Sequence, residues 1–81
     1  MENLKEEIKK IMEEIFGVSL KNLKDEDISE AKIENWDSLS HVNLMMALEQ
    51  KFNVKLSLEE IEKLRDLESI YQTIKSKISK G

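Results

Sequence analysis

The sequence predicts an all-α fold, a four-helix bundle with a short third helix and a long loop between helices one and two. Three observations predict it. Apolar residues recur at spacings of three and four over most of the chain. Helix-start and helix-stop residues fall where those runs begin and end. Strand-like alternation of apolar and polar residues is nearly absent.

The first run places Leu4, Ile8, Ile11, Met12, Ile15 and Phe16 on one face of a helix, and Gly17 follows it where a left-handed cap suits a residue without a side chain. Residues 18–36 are too irregular for a full helix or a strand and read as a loop, with one short turn over Leu20–Leu23. Connections of that length are uncommon in small domains and are usually functional. Val18, Leu20, Leu23, Ile28 and Ile33 are expected to pin it.

From Ser38 to Phe52 the helical period returns with two apolar stripes. Leu44, Met45, Leu48 and Phe52 cluster on one side, and Leu39, Val42 and Met46 lie roughly opposite. One stripe faces the core, so the other is available to a partner. Asn53–Leu56 reads as a short extended link. Ser57 to Glu60 then spells a capping box for a short helix through Leu64. After Arg65, Asp66 caps a last helix bearing Leu67, Ile70, Tyr71, Ile74 and Ile78.

With 81 residues, 40% of them hydrophobic, the chain is expected to form one domain over residues 1–81, because halves would be too small for a core to offset chain entropy. A net charge of −4 opposes the phosphate neutralisation that drives nucleic-acid binding. The absence of cysteine removes disulfides, thiolate metal sites and a cysteine nucleophile. Met1–Lys10 lacks the apolar run of an export signal, no stretch approaches a membrane span, and the expected location is cytoplasmic.

Charge is uneven along the chain: Asp25, Glu26, Asp27, Glu30, Glu34 and Asp37 face a single base, Lys32, within residues 25–37. Asp25, Asp27 and Ser29 match the first ligand places of a calcium loop. The glycine place is Glu30 and the bidentate acid place is Trp36, so the pattern fails. Two glycines, Gly17 and Gly81, build no phosphate cradle. Ser38 and His41 suggest a nucleophile and base, but nothing supplies an oxyanion hole and His41 turns toward the core.

What remains is Trp36-Asp37-Ser38-Leu39 at the head of the second long helix. Asp and Ser are ordinary caps there, yet the long loop before them and the unpartnered stripe after them make the context specific. Over nearly its whole length the chain resembles the acyl carrier proteins: Phe16-Gly17-Val18, the loop, Asp37-Ser38-Leu39, Leu44-Met45-Met46-Ala47-Leu48-Glu49, Phe52 and the helix starting near Ser57 all fit.

That resemblance implies 4'-phosphopantetheine, transferred from coenzyme A to Ser38 by a phosphopantetheinyl transferase, with Asp37 helping that enzyme hold its magnesium ion. It implies a non-catalytic carrier that exchanges thioester-bound acyl groups with acyl-loading and acyl-transferring enzymes of fatty-acid, polyketide or related biosynthesis. Leu39, Val42, Met46 and Glu49 match the partner-binding face, and Leu48, Phe52, Ile61 and Leu64 match an acyl cavity. A monomer is expected.

Ser40, Asn43, Gln50 and Lys51 stand where fatty-acid carriers are typically acidic, and Trp36 stands where a small residue is common. Both point to a specialised carrier. Trp36 is read as an anchor for the loop. The rival readings are an unmodified helical interaction module binding through Leu39, Val42 and Met46, and a hydrolase using Ser38 and His41.

Overall fold

A computed structural model describes residues 3–80. Met1, Glu2 and Gly81, which the export-signal and domain expectations included, lie outside them. Four helices follow in order: α1 (Leu4–Phe16), α2 (Ser38–Phe52), α3 (Leu58–Lys63) and α4 (Leu67–Lys80).

Each boundary has a local cause. Asn3 caps α1 by accepting from the Glu6 amide, and Gly17 closes it at φ 67°, its own amide donating to the Glu13 carbonyl. Asp37 caps α2 through the Ser40 amide. The capping box of Ser57 and Glu60 is complete, with both reciprocal bonds formed. Asp66 Oδ1 accepts from the Ser69 amide at 2.8 Å and heads α4.

The core is built from the periodic faces. Ile8, Met12 and Phe16 of α1, Leu44, Met45 and Leu48 of α2, and Leu67, Ile70 and Ile74 of α4 are all buried. Helix α1 packs against both α2 and α4. Helix α3 contributes no fully buried residue of its own; Leu56 before it and Leu64 after it enter the core instead.

Residues 18–36 follow the loop reading with one correction: Asp25–Asp27 winds into a 3-10 turn. The Leu20–Leu23 turn is present, closed by a 3.2 Å bond. Leu20, Ile28, Ile33 and Trp36 are buried, whereas Val18 and Leu23 are half-buried against the core. The loop is also joined to the segment before α4 through an isolated Ser29–Asp66 bridge, where Glu30 N–H donates to the Arg65 carbonyl and Leu67 N–H to the Ile28 carbonyl, each at 2.9 Å.

The acidic charge of the loop is partly met on site. Asp25 pairs with Lys9 at 2.6 Å, and Glu30 pairs with Arg65 at 3.1 Å. The hydrogen bond from Lys9 holds the Asp25 carboxyl below its usual range, and Asp25 in turn raises Lys9. These partly exposed pairs contribute about 0–1 kcal/mol each, against about 1.5–3 kcal/mol for each large apolar side chain fully buried. Apolar anchoring decides the path of the loop.

A second correction concerns Asn53, read as part of an extended link. It takes the left-handed conformation at φ 53°, and the amides of Asn53 and Val54 both donate to the Glu49 carbonyl. Asn tolerates this region better than other residues with a side chain, so α2 ends on a compact left-handed cap.

At Gly17, an added Cβ would meet nothing within 4 Å, so the effect of a side chain is purely that of the positive φ. Gly17→Ala is expected to destabilise the protein by about 1–2 kcal/mol, lowering the urea midpoint without altering the slope of the transition.

Candidate functional site

The amino end of α2 is shaped by what lies just before it. Trp36 is buried, 3% exposed, with its ring centroid 5.0 Å from that of Phe16 at the end of α1. The Asn35 side-chain amide donates to the Phe16 carbonyl at 2.8 Å. The chain is therefore fastened to α1 immediately before Asp37, and Asp37, Ser38 and Leu39 emerge on the surface.

Asp37 Oδ1 accepts from the Ser40 amide at 2.9 Å, and the Asp37 carbonyl accepts from His41 N–H at 2.8 Å. The hydrogen bonds from Ser40, the backbone one first, hold the Asp37 carboxyl below its ordinary value of 3.8. Ser38 is the first residue of α2, where the positive end of the helix dipole and the amides of the first turn favour a covalently attached phosphate. An exposed primary hydroxyl in that position fits a phosphodiester-linked group.

Three residues into the helix, His41 is 3% exposed, more deeply buried than its sequence position suggested. Trp36 Nε1–H donates to His41 Nδ1 at 2.9 Å. An indole N–H is only a donor, so Nδ1 must accept and the ring hydrogen resides on Nε2. That nitrogen then donates to the Ile61 carbonyl at 2.6 Å. Both ring nitrogens are taken, and neither is left to receive a proton from Ser38. The hydrolase reading loses its base. Sequence reasoning placed Trp36 as an anchor and His41 toward the core but did not join them; a Trp and a His five residues apart across a helix start were the available signal.

The second apolar stripe is where the spacing put it. Leu39, Val42 and Met46 are 71%, 46% and 51% exposed, with Leu58 at the start of α3 also exposed. Glu49 is half-buried, and its Oε2 accepts from the Leu56 amide at 2.8 Å. Its carboxylate holds the α2–α3 link as well as lying near the stripe.

Of the four residues matched to an acyl cavity, Leu48 and Leu64 are buried in the core, and Phe52 and Ile61 are half-buried against it. Phe52 also lines a groove of about 700 Å³ with Leu4, Tyr71 and Ile78. That groove lies at the far end of α2 from Ser38. Among the described residues no cluster of three or more His, Cys, Asp or Glu side chains is placed to hold a metal, and no helix is long and apolar enough to cross a membrane.

Residues 6–74 match the protein family described as phosphopantetheine attachment site. An acyl carrier protein of Buchnera aphidicola subsp. Baizongia pistaciae is 36% identical over 75 residues, covering 93% of this chain and 95% of that protein. The solution structure of a holo acyl carrier protein from Geobacter metallireducens superimposes with a TM-score of 0.82 at 28% identity, covering 95% of this chain and 87% of the other.

The Asp37 cap yields a pH-dependent expectation. Its carboxyl titrates lower in the folded chain than its ordinary value of 3.8, so its contribution is complete above that value and is lost as pH falls through the lowered one. Asp37→Asn keeps an acceptor for the Ser40 amide. Thermal melts between pH 3 and pH 7 should show the variant close to wild type near neutrality and less sensitive to acid.

Proposed function

Because the chain belongs to the acyl carrier proteins, we propose that Ser38 is the residue to which its 4'-phosphopantetheine is attached, and that Asp37 is read by the attaching transferase. Proteins of this family carry acyl groups for biosynthetic enzymes and are loaded by a modifying transferase; they do not catalyse the reactions themselves. The chain is a carrier and not an enzyme. Its arm, when attached, supplies a terminal thiol that holds acyl groups as thioesters.

The single observation that carries the assignment is the exposed Ser38 hydroxyl at the first residue of α2, directly after a tryptophan that is buried. Attachment forms a bond from Ser38 Oγ to the phosphorus of the pantetheine phosphate. It breaks the diphosphate bond of coenzyme A, with adenosine 3',5'-bisphosphate as leaving group. Asp37 is exposed beside the hydroxyl and anionic at neutral pH, its carboxyl being held below 3.8. A carboxylate there suits a magnesium ion carried by the transferase.

Docking falls to Leu39, Val42 and Met46, with Glu49 at the margin. Ser40, Asn43 and Gln50 carry no charge, so partners are held mainly by apolar contact, and long-range steering by basic patches is weak on this helix. This supports a specialised carrier of its own pathway. Leu48 and Leu64, buried in the core, and Phe52 and Ile61, half-buried against it, are the residues that would line an acyl cavity.

Incubation with coenzyme A and a permissive phosphopantetheinyl transferase, followed by intact-mass measurement, tests the site. One phosphopantetheine adduct is expected, and none on Ser38→Ala. Failure of several transferases to modify a folded wild-type chain would instead favour the unmodified interaction module. Met46→Glu tests the face: with 51% of Met46 exposed, roughly half of the 1.5–3 kcal/mol of a fully buried side chain is still available to docking. Transfer to or from a partner enzyme should fall roughly five- to tenfold, with a melting temperature close to wild type.

A further inference from the structure

Ser38 is the first residue of α2, and a residue in that position is held by its helix on one side only, its amide having no partner within the helix. The chain before it must hold the other side. Residues Ile33–Trp36 form a tight turn there, closed by Trp36 N–H donating to the Ile33 carbonyl at 3.2 Å. Both ends of the turn are buried, and Glu34 and Asn35 between them are exposed.

The Asn35 side chain is nevertheless directed to the protein. Its Nδ2 donates to the Phe16 carbonyl at 2.8 Å, across 19 positions of sequence. Phe16 is the last residue of α1, where carbonyls lack partners within the helix. The next residue, Trp36, packs its ring 5.0 Å from that of Phe16. The one after it, Asp37, caps α2 by accepting from the Ser40 amide at 2.9 Å. Asn35, Trp36 and Asp37 thus tie the end of α1 to the start of α2.

From this geometry we infer that Asn35 is a positioning residue for arm attachment: by clamping the Ile33–Trp36 turn to the end of α1, it keeps the first turn of α2 from fraying and holds the Ser38 hydroxyl in place for the transferase. The inference rests on Ser38 being the attachment residue. In that step Ser38 Oγ bonds to phosphorus as the diphosphate P–O bond breaks, adenosine 3',5'-bisphosphate leaves and the hydroxyl proton is released. The attacking oxygen must lie in line with the leaving group, and order already present in the free chain need not be imposed during the reaction. Asn35 lies outside the exposed stripe of Leu39, Val42 and Met46, and one hydrogen bond from an exposed residue adds only modestly to folding.

Single-turnover attachment separates positioning from folding, with saturating coenzyme A and a permissive phosphopantetheinyl transferase in excess at several concentrations, followed by intact mass. Asn35→Ala should lower the plateau rate about fivefold, the effect of freeing one backbone residue. The half-saturating transferase concentration should not change, because Asp37 and the stripe are untouched. Asn35→Gln keeps a side-chain donor and should recover most of the plateau. A purely structural role gives the opposite split, since a partly unfolded chain needs more transferase to saturate but reaches the wild-type plateau. That split, a wild-type plateau in Asn35→Ala, or no recovery in Asn35→Gln overturns the inference.

Amide hydrogen exchange in the unmodified chain gives a second readout. The Ser40 amide, bonded to Asp37 Oδ1, should exchange about fivefold faster in Asn35→Ala, with little change at the Leu48 amide in mid-helix. An equal change at the two amides, or none at Ser40, overturns the positioning role and leaves Ser38 assigned. Absence of any adduct on Ser38 of the wild type overturns both.

Discussion

Burial of Trp36 is the constraint on which the working end of the molecule depends. Its ring meets Phe16 from α1, and its N–H meets His41 from α2, so one side chain fixes the junction of two helices and the loop between them. The next residue must then leave the core. Asp37 turns outward and caps α2, and Ser38 becomes the first helical residue and is exposed. The exposure of Ser38 is a consequence of an apolar anchor, with the helix end providing a favourable setting for phosphate.

The same division between anchored and presented surfaces continues along α2. Leu44, Met45 and Leu48 complete the core with α1 and α4, and that burial leaves Leu39, Val42 and Met46 directed away from it. Helix α2 is thus apolar on two sides, one packed in the core and one exposed. Ser40, Asn43 and Gln50 add no charge to the exposed side of the helix.

The loop shows how an acidic segment is accommodated in a small bundle. Its charges are met where they lie, by Lys9 and Arg65, while Ile28, Ile33 and Trp36 supply the larger energy of attachment. The Ser29–Asp66 bridge carries the backbone of the loop to the start of α4. The loop is thereby joined through its backbone to the segment between α3 and α4.

Helix starts, helix stops and the two faces of α2 were legible in the sequence because they depend on neighbours three or four residues away. Gly17, Asp37, the Ser57–Glu60 box and Asp66 each act within one turn, and apolar spacing reports directly which face is buried. The Asp37-Ser38-Leu39 stretch in that setting was enough to point to a carrier. The tertiary structure alone decided the 3-10 turn at Asp25–Asp27, the left-handed Asn53, the bond from Glu49 to Leu56, and above all the union of Trp36, His41 and Ile61. These depend on which groups meet across space: Ile61 is twenty positions from His41, and periodicity along one helix carries no information about an unpaired carbonyl at the end of another.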